Sequence, residues 1–431
     1  MRNASLWSVL LGVEKTVVED VVFDEDAGVL IAEVRPRKGV KRLCGRCGRR
    51  APWYDRGEGR RRWRALDLGT IQVWLEADAP RVDCPVDGPT VRAVPWARHG
   101  AGHTRMLDEQ VAWLATQCSK TAVCELMRIA WRTVGAILTR VWADVEAVHD
   151  RFAGLRRIGI DEISYKRNHK YLTVVVDHDT GRLVWAAAGR DRATLETFFD
   201  ALEASGAGRC SQISHVSADG ADWITKVVNG RCPNAIRCAD PFHIVKWAIE
   251  ALDEVRRQAW RDARKAGHTV GYGSQDGRKR RISSGPARAL QRARYALSKN
   301  PDNLTDRQHV KLEWIAKTDP RLYRAYLLKE GLRTVFRLPY HDAAEALDRW
   351  IGWARRSRIE AFVQLQRRIV KHRDSILAAV EHGLSNGRIE SVNTKIRLIT
   401  RVAFGFKSPD ALIALAMLNL GGHPPALPGR K

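Results

Sequence analysis

The chain has 431 residues, 45% of them hydrophobic, with 73 Lys and Arg against 49 Asp and Glu for a formal charge of +24. That length exceeds one ordinary core and suggests roughly three domains, while the apolar content excludes a disordered chain and eight cysteines are too sparse for a disulfide scaffold. The charge points to a polyanionic partner, and to nucleic acid before a membrane, because no run of about 18 apolar residues exists and residues 6–13 are too short and too soon followed by Glu14 and Lys15. A cytoplasmic protein is expected.

Residues 1–35 alternate apolar and polar positions around Asp24-Glu25-Asp26-Ala27-Gly28 and read as a β-hairpin. Cys44-Gly45-Arg46-Cys47-Gly48 is a knuckle that turns two thiolates toward one ion, and Cys84-Pro85-Val86-Asp87-Gly88 repeats its outline with Asp87 in place of a second Cys or His. Zinc accepts carboxylate oxygen, so Cys44, Cys47, Cys84 and Asp87 could close a tetrahedral site, with His99 or His103 able to substitute for Asp87. The strands between the two halves, carrying Trp63, Leu66, Leu68, Ile71, Val73 and Leu75, fit a zinc ribbon. The basic run at residues 56–64 suits phosphate contact as well as a solvated loop. The other five cysteines, Cys118, Cys124, Cys210, Cys232 and Cys238, lie in apolar or helical contexts, where the thiol packs as a small hydrophobe.

From residue 107 to 148 the period becomes helical, with Ser119 as the cap of a short second helix and a third helix after Arg128-Ile129-Ala130. The third helix turns Val134, Ile137, Leu138, Val141 and Val145 inward and leaves Arg132, Thr133 and Arg140 outward. That is the pattern of a helix-turn-helix whose recognition helix enters the major groove, and those three residues are its candidate DNA contacts; a plain helical linker is the bland alternative.

Apolar and β-branched runs at residues 157–163, 171–176 and 183–188 predict a three-stranded meander. Asp161 breaks the first run near its end and leaves the sheet on the face opposite Ile158 and Ile160. A helix over 194–204 follows, then a short strand over 213–218 that ends at Asp219, so the position of Asp161 recurs; Gly220 lets the chain turn away. A helix at 223–228 and a strand at 235–238 lead into Asp240-Pro241-Phe242-His243. Residues 252–379 are mainly helical, and 255–299 hold 13 Lys or Arg against Asp262 and Asp276, including the loop cluster Arg278, Lys279, Arg280 and Arg281. Trp260, Trp314, Trp350 and Trp353 are candidates for the core of this all-α insertion, although exposed aromatics could stack on unpaired bases. After Asn386-Gly387, Ile389, Val392, Ile396 and Ile399 recur at helical spacing, and Glu390, Thr394, Arg397 and Arg401 fall on an adjacent polar face, with cations where phosphate could lie. Residues 421–431 read as a disordered tail.

Two acids at neighbouring strand ends and a third on a helix suit two-metal phosphoryl transfer. The order of elements resembles the RNase H-like core of DDE transposases, and the whole layout is similar to the bacterial insertion-sequence transposases of the ISL-three family. The likeness rests on the C-x-x-C ribbon, Ser119-Lys120-Thr121-Ala122-Val123, Gly159-Ile160-Asp161-Glu162, Asp240-Pro241-Phe242-His243, Leu328-Lys329-Glu330-Gly331-Leu332-Arg333 and the run at 386–396, and it covers nearly the whole chain. It implies a multidomain α/β protein: a β-rich N-terminal region with zinc ribbon (1–105), a helix-turn-helix (106–150), an RNase H-like mixed sheet (151–251), a basic helical insertion (252–380), closing helices with the catalytic Glu (381–420) and the tail. It further implies that Asp161, Asp219 and Glu390 form the DDE triad and hold catalytic Mg²⁺ or Mn²⁺. Asp240 and His243 match an auxiliary D-x-x-H element, and Zn²⁺ is structural. Asp222 and Asp240 are rivals for the second acid, and Glu162, on the other face, is a weaker rival for the first. The implied function is a transposase that binds terminal inverted repeats, cleaves them and joins the 3′-hydroxyl ends to target double-stranded DNA, as a homodimer or larger assembly at the nucleoid. A catalytically decayed DNA-binding regulator and an RNase H-like nuclease or resolvase are the alternatives.

Overall fold

The computed structural model describes residues 3–166, 170–266, 272–273, 280–281 and 285–430, with no side chains described for 3–5, 272–273 and 280–281. The chain divides into two compact units, Met1–Arg151 with Lys395–Lys431, and Phe152–Thr394. Among the described residues no helix is long and apolar enough to cross a membrane.

The first unit starts with α1 (Asn3–Leu10), which the short apolar run at 6–13 did not announce, and continues through β1 (Thr16–Asp24), β2 (Val29–Pro36), β3 (Trp53–Asp55), β4 (Arg60–Arg64), β5 (Gln72–Asp78), β6 (Arg81–Cys84) and β7 (Gly88–Val91). β1 and β2 are the expected hairpin. The strands between the two zinc-knuckle halves go elsewhere than expected: β5 pairs in parallel with β2 and antiparallel with β4, giving a sheet ordered β1-β2-β5-β4. The cause is apolar alternation, which buries Trp63, Val73 and Leu75 with Ala32 and Val34 on one face, Trp63 meeting Trp96 edge-on at 5.6 Å. The ribbon is the separate sheet β3-β6-β7. Three helices follow, α2 (Arg105–Gln117), α3 (Lys120–Met127) and α4 (Trp131–Val148). The Ser119 hydroxyl accepts from Ala122 N–H at 3.2 Å and starts α3, and Arg128, in the left-handed region at φ 52°, ends it and makes the turn into α4.

The second unit opens with β8 (Arg157–Lys166), β9 (Lys170–Asp177) and β10 (Leu183–Ala188), then α5 (Arg192–Ala204), β11 (His215–Ala218), α6 (Asp222–Arg231) and β12 (Ile236–Ala239). The strands order as β10-β9-β8-β11-β12, antiparallel through the meander and parallel from β8 to β12. This is the mixed sheet expected of an RNase H-like fold. Ile158, Ile160, Val216 and Ala218 pack on Phe198 and Phe199 of α5 and on Ile224 and Val228 of α6. Each buried Phe contributes roughly 1.5–3 kcal/mol.

The insertion runs from α7 (Pro241–Ala266) through the short pair β13 (Tyr272–Gly273) and β14 (Arg280–Arg281), then α8 (Gly285–Gln291), α9 (Arg294–Ser298), α10 (Asp306–Thr318), α11 (Pro320–Val335), α12 (Tyr340–Arg356), α13 (Glu360–Lys371) and α14 (Arg373–Glu381). Trp350 is buried, its indole N–H donating to the Leu328 carbonyl at 2.7 Å, and Trp260 and Trp314 pack against the same core; Trp353 is exposed at its rim. Arg278 and Lys279 lie outside the described residues, and of Arg280 and Arg281 only the backbone is described.

α15 (Gly387–Val402) begins in the second unit, and α16 (Pro409–Leu420) belongs to the first, so the segment expected to close the catalytic core is divided between the two. α16 packs on α4 and α2, where Gly135 of α4 leaves room for Ala411. Residues 421–430 carry no helix or strand, and His423 stacks on His149 at 3.9 Å.

Gly159 of β8 has no room for a side chain, since a Cβ there would overlap Ile389 Cδ1 and lie 2.7 Å from its Cγ1 and 2.9 Å from His178 Nε2. Gly159→Ala should push α15 off the sheet and destabilise the protein by about 1–3 kcal/mol. A denaturant midpoint unchanged from the wild type would show that this approach is not close.

Candidate active site

Parallel register places three carboxylates side by side. Ile160 of β8 is paired with Ala218 of β11, which is paired with Ala239 of β12, so Asp161, Asp219 and Asp240 each occupy the next position along adjacent strands. Residues two earlier, Gly159, Ser217 and Cys238, share one face of the sheet. That face meets α15 and α14, through Gly159 beside Ile389 and Cys238 beside Ala379 and Leu384. Ligand sites in open parallel sheets form at such C-terminal strand ends.

His243, in the first turn of α7, reads two of the three acids. Its Nδ1 donates to Asp240 Oδ2 at 2.6 Å and its Nε2 lies 4.0 Å from Asp219 Oδ2. The bond to buried Asp240, with further attraction from Asp219 and Asp161, raises the imidazole pKa above its ordinary value despite burial. Asp161 is pushed up, first by burial and then by the charges of Asp240 and Asp219, against the lowering effect of Glu162 N–H, which donates to its Oδ1 at 2.8 Å. Glu162, on the α5 side of β8, is raised to about 7 by burial and by the charges of Asp219 and Asp161. His243 is the compensating charge among these acids, whose oxygens, among the described residues, are not drawn together as tightly as the ligand atoms of the cysteine cluster of the first unit.

Asp222 is engaged elsewhere: both its oxygens accept from Lys371 Nζ, at 2.8 and 2.6 Å, on the exposed surface. Glu390 is exposed on α15 and forms no side-chain hydrogen bond or ion pair among the described residues. The helix residue that touches the acids is Asn393, one turn on, whose Nδ2 donates to Asp161 Oδ2 at 2.7 Å. Asn393 is buried within the apolar stripe of Ile389, Val392 and Ile396, and a polar residue inside such a stripe was the available signal for it.

A buried polar chain anchors this helix. His178 Nε2 and Ser217 Oγ are 2.6 Å apart, and Ser217 Oγ donates to Asn386 Oδ1 at 2.6 Å, one residue before α15. If the hydroxyl donates to Asn386, His178 supplies the other proton from Nε2 and is neutral, in keeping with a pKa lowered to about 4 by burial and by Arg388 and Arg157. Arg388 in turn donates to the carbonyls of His178 and Asp179. The end of β9, the middle of β11 and the start of α15 are thereby joined, which no local sequence pattern could announce.

In the first unit, Cys44, Cys47, Cys84 and Asp87 bring their donor atoms within 4.8 Å of one another. Cys47 Sγ lies 3.4 Å from Cys84 Sγ, and Asp87 Oδ2 lies 3.3 and 3.6 Å from the sulfurs of Cys44 and Cys84. Zinc–sulfur bonds of about 2.3 Å fit that spacing. Hydrogen bonds from Cys47 and Cys44 hold the Asp87 carboxyl below its ordinary pKa, in the ionised form a ligand requires. His99 packs its ring against Gly45, and His103 Nδ1 is buried without a partner; neither joins the cluster.

On α4, Arg132 is exposed and Thr133 half-buried. Arg140 differs from the expectation. Its guanidinium pairs with the fully buried Asp108 of α2 at 3.2 Å, sharing that acid with Arg98, so it braces the helices. Arg397 and Arg401 are exposed and enter no ion pair among the described residues.

Three family models match the chain: a transposase model over residues 158–416, the helix-turn-helix domain of transposase family ISL3 over 92–142, and the zinc finger of transposases IS204/IS1001/IS1096/IS1165 over 41–86. The chain is 65% identical over 439 aligned positions to the transposase for insertion sequence element IS1557 of Mycobacterium tuberculosis, covering 100% of this chain and 98% of that protein, in strains CDC 1551 / Oshkosh and ATCC 25618 / H37Rv alike. It is 27% identical over 418 positions to the transposase for insertion sequence element IS1001 of Bordetella parapertussis, covering 95% and 96%. Among solved structures, the Drosophila P element transposase strand transfer complex aligns with 73% of this chain and 91% of its own, at 10% identity and a TM-score of 0.36, too low to establish a shared fold.

Proposed function

The chain belongs to the ISL3 family of insertion-sequence transposases, and we propose that it cuts the ends of its element and joins them to target DNA with Asp161, Asp219 and Glu390 as the acids of the reaction. The observation that carries this reading is the register of Ile160, Ala218 and Ala239, which aligns three acids beneath the helix that bears Glu390. Asp161, Asp219 and Glu390 would hold Mg²⁺ or Mn²⁺. Bound there, the cations would neutralise the scissile phosphate and favour a deprotonated attacking oxygen.

The protein's own groups prepare the site. Asn393 holds one Asp161 oxygen and Glu162 N–H the other, so the carboxylate keeps its aim before DNA arrives. Asp240 fixes the tautomer and direction of His243, leaving Nε2 toward Asp219, where it can hold or release a proton beside the reacting phosphate. The His178–Ser217–Asn386 chain sets the start of α15, the helix that carries Glu390. Cys44, Cys47, Cys84 and Asp87 would hold a structural zinc ion. The functional assembly would contain two or more copies, one for each paired end, working at the nucleoid.

Strand transfer of the element's own end DNA into a plasmid, with Mg²⁺ and purified protein, tests the proposal. Specific binding of the ends without cleavage or joining would support the regulator instead. Cleavage without joining would support a nuclease.

Arg132 and Thr133 are proposed as base or phosphate contacts of α4, with Arg397 and Arg401 as further phosphate contacts. Arg132→Ala should narrow the affinity gap between end and random duplexes by about 1–3 kcal/mol. Arg140→Ala should leave that gap unchanged and lower the unfolding temperature, because Asp108 then keeps only Arg98 to offset its burial. Duplex titrations and thermal scans of the two variants check this pair. A reversal of the two effects would move the recognition surface away from the start of α4.

A further inference from the structure

Beside the ribbon, the first unit contains a cleft of about 790 Å³ between the rim of the β1-β2-β5-β4 sheet and the β3 region. Seven basic and three acidic side chains line it. Arg35 and Arg60 are occupied by Glu19 at 2.6 Å and Glu33 at 2.9 Å. Arg37, Lys38, Arg42, Arg56 and Arg92 enter no ion pair among the described residues.

Arg92 shows that the surplus charge is built into the wall. Its Nη2 donates to the Val40 carbonyl at 3.1 Å, but its Nε is buried without an acceptor. Burial and the neighbouring Arg42 both disfavour its charge. A buried, unmet donor on a cation that faces another cation is a cost to the fold that an anion in the cleft would relieve.

The other cations are spread along the opening. Arg37, Lys38 and Arg42 stand on the link from β2 to the ribbon, and Arg56 stands on the β3–β4 turn. Gly57, at φ 68°, makes that turn; its N–H donates to Asp55 Oδ1 at 2.8 Å, and a Cβ there would strike the Ala79 carbonyl. Trp53 is exposed at the mouth, 6.0 Å from the Arg42 guanidinium. Dispersed guanidinium groups beside an exposed aromatic ring suit a repeating anion with sugars between its charges better than one small ion. The ribbon model begins at residue 41 and the helix-turn-helix model at 92, so neither includes the β1–β2 wall.

We propose that this cleft seats the phosphodiester backbone of duplex DNA, as a sequence-independent contact additional to the helix-turn-helix. The proposal rests on the reading of the chain as a DNA-binding transposase. It adds affinity and length of footprint, and no base discrimination.

The test is the full-length triple variant Arg37→Ala/Arg42→Ala/Arg56→Ala beside the charge-retaining Arg37→Lys/Arg42→Lys/Arg56→Lys, all three positions being exposed. Zinc content and unfolding temperature confirm that both are folded. On random duplex DNA the alanine variant should bind about tenfold or more weakly at low salt, and the slope of log affinity against log salt should fall by about 2–3, about 0.9 for each phosphate no longer neutralised. The lysine variant should keep most of the slope. The ratio of end to random affinity should not change, and hydroxyl-radical protection should shorten on one flank only. An unchanged slope, a slope reduced equally in the lysine variant, or a defect seen with single-stranded RNA and not with duplex DNA would each overturn the proposal. Strand-transfer activity and the wild-type end-to-random ratio report separately on the transposase reading, and neither enters the slope on random DNA.

Discussion

Asp219→Ala is expected to reduce strand cleavage by about 10³-fold or more while leaving end binding within about twofold. Losing one carboxylate from a cation site removes several kcal/mol of transition-state stabilisation, and each 1.36 kcal/mol is a factor of ten. Asp219 lies outside the unit that carries the helix-turn-helix, and the bond its carboxylate accepts from Ala221 N–H at 2.6 Å only shapes the turn after β11. Asp222→Ala is the matched control three residues on. It removes a solvent-exposed pair with Lys371, which contributes little, and should leave cleavage within about threefold. Gel assays of nicked and joined products, beside mobility shifts on the same end DNA, measure both quantities. If Asp222→Ala abolishes cleavage and Asp219→Ala does not, the second acid has been misassigned.

The second large effect concerns the ribbon. Cys84→Ser or Cys44→Ser should release the zinc and unfold the β3-β6-β7 region, because structural zinc contributes about 10–16 kcal/mol in small zinc-finger peptides at pH 7 and few apolar contacts replace it here. Among the described residues, the buried apolar cluster of that region is Cys44, Ala51, Val82 and Cys84. Asp87→Ala should weaken zinc retention, and Asp87→Cys should strengthen it by completing a four-thiolate set. Metal analysis of the full-length protein, chelator competition and hydrogen exchange over residues 41–92 provide the readings. A wild-type protein with no zinc would remove the claim, and full retention by Asp87→Ala would transfer the fourth position to another ligand.

Much of the second unit was legible in the sequence because β-branched runs and Gly or Asp turns bear directly on strand formation. Asp161 and Asp219 stood out as acids breaking apolar strands. Register was not legible: that Ile160, Ala218 and Ala239 lie abreast is a property of hydrogen bonds between β8, β11 and β12, strands that are separate in the sequence, so the alignment of Asp240 with the other two could not be read locally. Alternation predicted β4 and β5 as strands but not their partners: β5 lies between β2 and β4, in a sheet separate from β3-β6-β7. Arg140 looked like a surface cation because helical period places it outward, and only the return of Asp108 from α2 makes it internal. The Asn393 to Asp161 bond spans 232 residues and belongs to the same class of information.

The position of α16 bears on the timing of synthesis. The helices of the DNA-binding bundle are complete at Val148, yet the helix that packs on α4 and α2 begins at Pro409, 261 residues later. At about 5–20 residues per second, a ribosome needs roughly 13–52 s to cover that interval. Until then the apolar surface of α4 around Gly135 has no Ala411 against it. A chain cut short after α15 would therefore keep Asp161, Asp219 and Glu390 but lack the helix that packs on α4 and α2, so premature termination should leave a product unable to occupy the ends or to compete with the intact protein for them.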